Sequence, residues 1–174
     1  SWTSQKSYLI KSKAVDNAGN TETPGIGNSF TVDITAPSST ISAPANGVTV
    51  NSLLVISGSS GDPMPGSGMS YVKLSIKRTV DTKFWAGTSW ETTVTYVNAT
   101  GIPGWSYGNP GWQSGNTYII NSKAVDIANN EETIGVLNTF TFDNITPSSQ
   151  VLMPTNSAQM KSLSLISGTA TDAT

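Results

Sequence analysis

The sequence repeats itself with a period of about 110 residues, and this repeat limits the folds open to the chain. Residues 12–16 (SKAVD) return as residues 122–126, and residues 30–33 (FTVD) return as FTFD at residues 140–143. No insertion or deletion interrupts the match. A repeat of this length corresponds to a whole folded module, so we expect modules in tandem, each with its own core and with contacts to its neighbours.

Short runs of strand-forming residues alternate with turn signals throughout the complete copy. Residues 71–78 and 117–126 alternate apolar with polar side chains, which predicts strands with one buried face. A further strand is predicted over residues 92–97, and residues 84–90 are predicted to form a hairpin with an aromatic side chain on each arm. About seven or eight short strands separated by turns predict an all-β fold, an antiparallel β-sandwich.

The boundaries of the repeat divide the chain into three parts. Residues 38–147 form one complete copy, residues 1–37 match the C-terminal part of a copy, and residues 148–174 match the N-terminal part of the next one. A partial β-sandwich leaves sheet edges unpaired and apolar surface in water. We therefore expect the chain to be a stretch of a longer polypeptide, in which a missing targeting signal carries no meaning.

The composition excludes some classes of protein and favours others. The chain has no cysteine and no histidine, and its formal net charge is −2. No basic stripe is present, which argues against a nucleic-acid partner. No apolar run approaches the roughly 18 residues that a membrane-spanning helix needs. The abundance of serine and threonine with few charges favours an extracellular or cell-surface location.

Several motifs resemble the bacterial Ig-like repeats of large surface or secreted proteins. They are residues 14–22 (AVDNAGNTE), residues 30–37 (FTVDITAP) and the Gly-Ser-Gly motif at 66–68. The strand that contains Tyr118 resembles the penultimate strand of immunoglobulin-like and fibronectin-III-like modules, whose tyrosine hydroxyl bonds to upstream backbone. The resemblance implies an Ig-like antiparallel β-sandwich in tandem repeats of about 110 residues.

Four aspartates are candidate calcium ligands, and calcium is the one cofactor considered. Asp16 and Asp126 occupy equivalent positions of the repeat, and Asp33 and Asp143 lie at the junctions between copies. Calcium takes six to eight oxygen ligands, usually with several carboxylates, and the sequence has no D-x-D-x-D loop. Asx turns and strand ends also explain these residues without a metal. Both interpretations stay open.

Two further sets of residues are candidate ligand or modification sites. Trp85 and Trp90 could form a platform for a carbohydrate, or they could simply pack across the predicted hairpin. Asn98 and Asn144 fit the N-glycosylation pattern, which is frequent by chance in a chain rich in serine and threonine.

No motif in the sequence supports catalysis, so we expect a non-enzymatic protein. The sequence has no Gly-x-Ser-x-Gly elbow, no phosphate-binding loop, no histidine and no cysteine. The leading hypothesis is a structural module of an elongated extracellular repeat protein, such as an adhesin stalk, a sheath or a surface fibre. The alternatives are a carbohydrate-binding module that uses the aromatic hairpin, and a spacer in a large secreted enzyme. The expected partners are neighbouring repeats of the same chain, with self-assembly into fibres or a surface glycan or protein ligand as further options.

Overall fold

The computed structural model describes residues 1–133 and 135–172, and these residues form strands and no helix. The described part of the chain therefore contains no helix that could span a membrane. The strands are β1 (Lys6–Ile10), β2 (Asn28–Val32), β3 (Ser38–Ala43), β4 (Val48–Val50), β5 (Val55–Gly61), β6 (Met69–Arg78), β7 (Lys83–Trp85), β8 (Trp90–Glu91), β9 (Val97–Asn98), β10 (Gly104–Gly108), β11 (Asn116–Asp126), β12 (Val136–Phe142), β13 (Ser148–Met153) and β14 (Ser167–Thr171).

Strands β3 to β12 form two sheets that share one core. The smaller sheet has the order β10–β5–β3, and the larger has the order β4–β12–β11–β6–β7–β8, with β9 beside β6. Neighbouring strands are antiparallel except for β4 and β12, which are parallel. Ile56 and Trp105 of the smaller sheet belong to the same buried cluster as the apolar residues of the larger one. The all-β prediction is therefore confirmed, and the arrangement is consistent with a β-sandwich.

The core forms where the alternating apolar side chains of β6 meet those of β11. These two long strands are paired, with Ile120 opposite Ile76 and Ala124 opposite Val72. All four side chains are fully buried, as are those of Leu74 and Tyr118. Alternate residues of a strand point to the same face, so the apolar positions of both strands meet on one side of the sheet.

Close packing within the smaller sheet requires a glycine in β5. A Cβ atom on Gly58 would collide with the backbone oxygen of Thr40 and with the ring of Trp105. The indole nitrogen of Trp105 donates a hydrogen bond to the carbonyl of Ser59 (3.1 Å). Gly58 therefore makes room for the large ring that fills this part of the core.

The two outer segments have the same strand registers as the centre. Strand β1 pairs with β2 so that Lys6 lies opposite Val32, and β11 pairs with β12 so that Asn116 lies opposite Phe142. Each residue of the first pair corresponds to its counterpart in the second after one repeat period. Strands β13 and β14 likewise pair as β3 and β5 do, including the shift of register near the end of β13 and of β3.

The predicted hairpin over residues 84–90 is confirmed, and the predicted strand over residues 92–97 is wrong. In the hairpin over residues 84–90, Trp85 lies opposite Trp90 and the N–H of Ala86 donates to the carbonyl of Ser89 (2.8 Å). The predicted strand over residues 92–97 is reduced to β9, Val97–Asn98. Strand β7 already pairs with one part of the edge of β6, and β9 pairs with another part of that edge. The chain between β8 and β9 has to bridge those two positions, which overrides its strand propensity.

Candidate functional site

Three segments that are distant in sequence meet where the chain enters the central sandwich. They are the linker that begins at Asp33, the loop 62–68 between β5 and β6, and the turn 126–130 after β11. The N–H of Ser67 donates a hydrogen bond to Oδ2 of Asp33 (2.6 Å), and Nδ2 of Asn130 donates to the Asp33 carbonyl (3.1 Å). These bonds hold the linker against the sandwich.

A cluster of three carboxylates lies in this place. Asp33, Asp62 and Asp126 each bring one oxygen to within 4.8 Å of the others. Asp126 is buried and the other two are half-buried. Asp33 and Asp126 are two of the calcium candidates from the sequence, whereas Asp62 is not among them. We call these three residues the aspartate cluster.

The loop that contains Asp62 is folded around its carboxylate. Oδ2 of Asp62 accepts a hydrogen bond from the N–H of Gly68 (2.7 Å). Gly68 has a φ of 89°, a conformation that glycine adopts without strain. A Cβ on Gly66 would collide with the Asp62 carboxylate. The Gly-Ser-Gly motif therefore allows the backbone to wrap closely around this side chain.

Asp126 fixes the turn on the other side of the cluster. Its Oδ1 accepts the backbone N–H of Asn130 (2.7 Å), and its Oδ2 accepts Nδ2 of the same asparagine (2.8 Å). Asn129 in this turn has a φ of 68°, which asparagine tolerates better than most residues. Asp126 thus orders the turn that places Asn130 against the linker.

Hydrogen bonds from two backbone N–H groups favour the ionised form of Asp33. The backbone N–H of Thr35, and then that of Ser67, stabilise its charged form and lower the pKa of Asp33 below 3.8. The carboxylate is therefore ionised at neutral pH. No lysine or arginine nitrogen lies within 4 Å of the aspartate cluster in the described part of the chain.

The remaining two calcium candidates lie elsewhere. Asp16 is exposed, and the side chain of Asn20 is the main cause that lowers the pKa of Asp16. Asp143 is half-buried, and its Oδ1 accepts a hydrogen bond from Oγ of Ser114 (2.8 Å). Neither belongs to a group of three acidic residues among residues 1–133 and 135–172.

The two tryptophans of the hairpin are half-buried and pack against the core. Their ring centroids are 5.4 Å apart at an interplanar angle of 55°, so the rings are not coplanar. The indole nitrogen of Trp85 donates to the hydroxyl of Tyr107 (2.8 Å). Trp90 lies 5.9 Å from the ring of Tyr118, and the guanidinium of Arg78 lies 4.6 Å from its ring centroid. These contacts give both rings a packing role.

The two candidate glycan acceptors are exposed. Asn98 lies in the short strand β9 rather than in a loop, and Asn144 lies in the segment after β12. The backbone N–H of Asn144 donates to Oγ of Ser114 (3.0 Å). Glycosylation at either residue stays a prediction.

No protein-family model matches the sequence, and no curated protein is significantly similar to it. Function is therefore inferred from the geometry of the chain itself.

Proposed function

We propose that the chain is a non-enzymatic structural part of an elongated extracellular repeat protein, such as an adhesin stalk, a sheath or a surface fibre. The proposal depends on one observation: the chain enters and leaves the central sandwich at opposite ends of β11. Asp33 lies before the sandwich and contacts Asn130, in the turn after β11. Asp143 lies after the sandwich and contacts Ser114, in the turn before β11.

The length of β11 approximates the distance between the points where the chain enters and leaves one unit. The strand has 11 residues, which at about 3.3 Å each corresponds to about 36 Å. Units joined in this way extend head to tail along the direction of β11. Successive units would then form a string rather than a compact cluster.

Three further features support an Ig-like topology for the unit and its repetition along the chain. The hydroxyl of Tyr118 accepts a hydrogen bond from the backbone N–H of Gln113 (2.9 Å), as in the tyrosine corner of such modules. The chain also changes sheets between β3, in the smaller sheet, and β4, in the larger. The outer hairpins have the registers of the central strands after a shift of one repeat period.

The pairing of β4 with β12 suits a unit that transmits tension. These strands are parallel, with Thr49 opposite Thr141, and in sequence β4 lies near the beginning of the unit and β12 near its end. The N–H of Asp143 also donates to the carbonyl of Val50 (2.9 Å). A pull on the two ends shears these hydrogen bonds together instead of opening them one after another.

The linker before the sandwich supports a stiff joint. Its hydrogen bonds to Ser67 and Asn130 fix both the side chain and the backbone of Asp33. Pro37 at its end is buried, and proline restricts its own φ and the conformation of the residue before it. We therefore expect neighbouring units to keep a defined orientation.

Small-angle X-ray scattering of one, two and three tandem copies of residues 38–147 tests the proposal. We expect the maximum dimension to grow by about 36 Å with each copy, at a constant cross-section. Copies joined by flexible Gly-Ser linkers of the same length serve as the control, because their extension grows more slowly with copy number. A compact profile, or growth equal to that of the flexible control, would contradict the proposal.

The alternative of a carbohydrate-binding module is tested separately. Trp85 and Trp90 are engaged in packing, so we expect no binding to a glycan array. Binding that is lost in a folded Trp90→Ala variant would favour the alternative instead. A spacer in a large secreted enzyme would use the same geometry, and a catalytic domain in the same polypeptide would favour that alternative over a stalk or fibre.

A further inference from the structure

We propose that a groove on the outer face of the larger sheet binds an extended peptide that carries an acidic side chain. The groove has a volume of about 190 Å³. Residues of β6, β11 and β12 form its floor, and residues of β7 and of the chain between β8 and β9 form its sides. We call it the outer groove. None of its lining residues takes part in the contacts on which the proposed structural function depends, so the two proposals can be tested separately.

The floor of the outer groove contains a row of three facing residues. Asn121 of β11 lies opposite Ser75 of β6 on one side and opposite Leu137 of β12 on the other. The residues next to Ser75 and Asn121 in sequence are fully buried in the core. Because successive residues of a strand point to opposite faces, the row lies on the face of the sheet that points away from the core. A ligand can reach it there without disturbing the core.

The chain between β8 and β9 makes this part of the sheet concave. Ser75 faces outwards, yet only 6% of it is exposed. Val94 and Tyr96 belong to the segment that is not a strand, and they line the groove together with Ser75. Nζ of Lys73 lies 5.0 Å from the centroid of the Tyr96 ring and holds that side of the groove in place. The segment therefore forms a wall over an otherwise open sheet face, and binding sites are typically concave.

Two polar groups in the floor have no hydrogen-bond partner among the described residues. The hydroxyl of Ser75 makes no side-chain hydrogen bond there, although the residue is more than nine-tenths buried. The amide of Asn121 likewise makes none, and its Oδ1 exposes less than 1 Å². Buried polar groups normally have a partner. A hydroxyl and an amide both donate and accept hydrogen bonds, which matches the alternating donors and acceptors of a peptide backbone.

The charge of the outer groove favours an acidic partner. Among the described residues that line it, Lys77 is the one charged side chain. Its Nζ lies 5.8 Å from the centroid of the Phe84 ring, and no carboxylate oxygen lies within 4 Å of it in the described ranges. The nearby Lys73 is instead paired with Glu131. Lys77 is thus a cation free to pair with a carboxylate of a ligand, and complementary charges of this kind select partners.

The size of the groove and the backbone beside it favour a peptide over a sugar or another small molecule. Pockets for small ligands usually measure about 300–1,000 Å³. The outer groove, at about 190 Å³, admits one or two side chains rather than a whole ligand. In the described part of the chain, the backbone of residues 92–96 makes no hydrogen bond to other backbone groups. An extended peptide can pair with this backbone and place every second side chain in the groove.

NMR titration of the whole ¹⁵N-labelled chain with capped peptides tests the proposal. The probe is the peptide TVTETVT, which places its Glu and two Val side chains on one face when extended. Two matched peptides carry Gln or Lys in place of Glu. We expect the Glu peptide to bind with a Kd of about 1 mM or lower and to shift amide signals of residues 92–96, β6, β11 and β12. It should bind about fivefold more tightly than the Lys peptide at low ionic strength, with a smaller preference in salt.

Charge reversal in the groove gives the sharpest readout. Lys77→Glu should make the chain prefer the Lys peptide over the Glu peptide, because the sign of the charge in the groove is inverted. Lys83→Glu is the matched control: Lys83 lies in β7 and does not line the groove, so the preference for the Glu peptide should remain. A change in fold alone would weaken all three peptides and would not invert their order.

Several results would overturn the proposal. They are the absence of shifts up to about 10 mM Glu peptide, shifts centred outside the outer groove, and equal binding of the Glu and Lys peptides to the parent chain. The same conclusion would follow if both lysine variants changed the preference equally, or if polygalacturonate bound the groove more tightly than the peptide did. The scattering experiment on tandem copies does not depend on these outcomes, so a failure here leaves the proposed structural function in place.

Discussion

At the scale of single residues, the hydroxyl of Tyr118 makes a hydrogen bond beside the core. The ring is fully buried and packs against Trp112 and Phe140 at centroid distances of 4.7 and 5.4 Å. Its hydroxyl accepts the backbone N–H of Gln113 (2.9 Å). The outer hairpin repeats this arrangement with Tyr8, whose hydroxyl accepts the N–H of Thr3 (2.8 Å) in a more exposed setting.

The matched pair of tyrosines makes this contact testable. Tyr118→Phe removes the acceptor and leaves a partly buried N–H unpaired, so we expect it to lower the free energy of unfolding by about 1 kcal/mol. Tyr8→Phe should cost less than about 0.5 kcal/mol, because solvent can replace the lost acceptor. Urea unfolding followed by tryptophan fluorescence measures both changes. Equal losses in the two variants would contradict the special role of the buried hydroxyl.

At the same scale, the sequence predicted some of the site but not all of it. The sequence offers Asp33 and Asp126 as candidate ligands, with Asx turns and strand ends as the alternative interpretation. Asp62 is not among those candidates, and it accepts a hydrogen bond within its own loop. Only the folded chain shows that the loop, the turn and the linker converge, because no local pattern encodes contacts between segments so far apart in sequence. The return of Asp62 as Asp172 was the available signal.

At the scale of elements, the pairing of β6 with β11 brings two lysines directly opposite each other. Lys73 and Lys123 are register partners, and like charges in that position are destabilising. Glu131, in the turn region after β11, contacts Nζ of Lys73 (2.7 Å) and Nζ of Lys123 (3.1 Å). Mainly through Lys73, these contacts lower the pKa of Glu131 below 4.5. One carboxylate thus compensates two facing positive charges.

This arrangement predicts a specific dependence of stability on pH. Because the pKa of Glu131 is lower in the folded state, its ionised form contributes stability above pH 4.5, and this contribution is lost as the pH falls through the folded pKa. Glu131→Gln should therefore be less stable than the parent chain at neutral pH, with a difference that shrinks as the pH falls below 4.5. Chemical unfolding at low ionic strength across that range measures it.

Glu91→Gln is the matched control for the pH series. Glu91 is exposed, accepts a hydrogen bond from Ser89, and has no lysine or arginine nitrogen within 4 Å in the described ranges. We expect its effect to be small at every pH. A difference for Glu131→Gln that does not change with pH would show that the ion pairs contribute nothing to stability.

The sequence was more informative about long strands than about short ones. Strands β6 and β11 were predicted close to their observed bounds, because each carries a sustained alternation of apolar and polar residues. Residues 92–97 have strand propensity but no sustained partner, since the same edge of β6 pairs with β7 and with β9 at different places. Propensity alone does not decide which strand pairs with a given edge.

At the scale of the whole molecule, the proposed elongated shape depends on how the chain crosses the central sandwich. The repeat predicts a module over residues 38–147, which stays a prediction. The described core in that range contains residues of both sheets. The sequence could not predict where the chain enters and leaves, because that depends on long-range contacts of Asp33 and Asp143. Those contacts distinguish a unit whose two ends lie far apart from one whose two ends lie close together.

The distance between the two ends of the sandwich tests this claim most directly. The chain has no cysteine, so spin labels on Ile34→Cys and Ile145→Cys, both exposed positions, would be unique. Double electron–electron resonance should give a narrow distribution centred at about 35–45 Å, the length of β11 plus the labels. A mean below about 20 Å, well short of the length of β11, or a broad distribution without a dominant peak would contradict an extended unit with stiff ends.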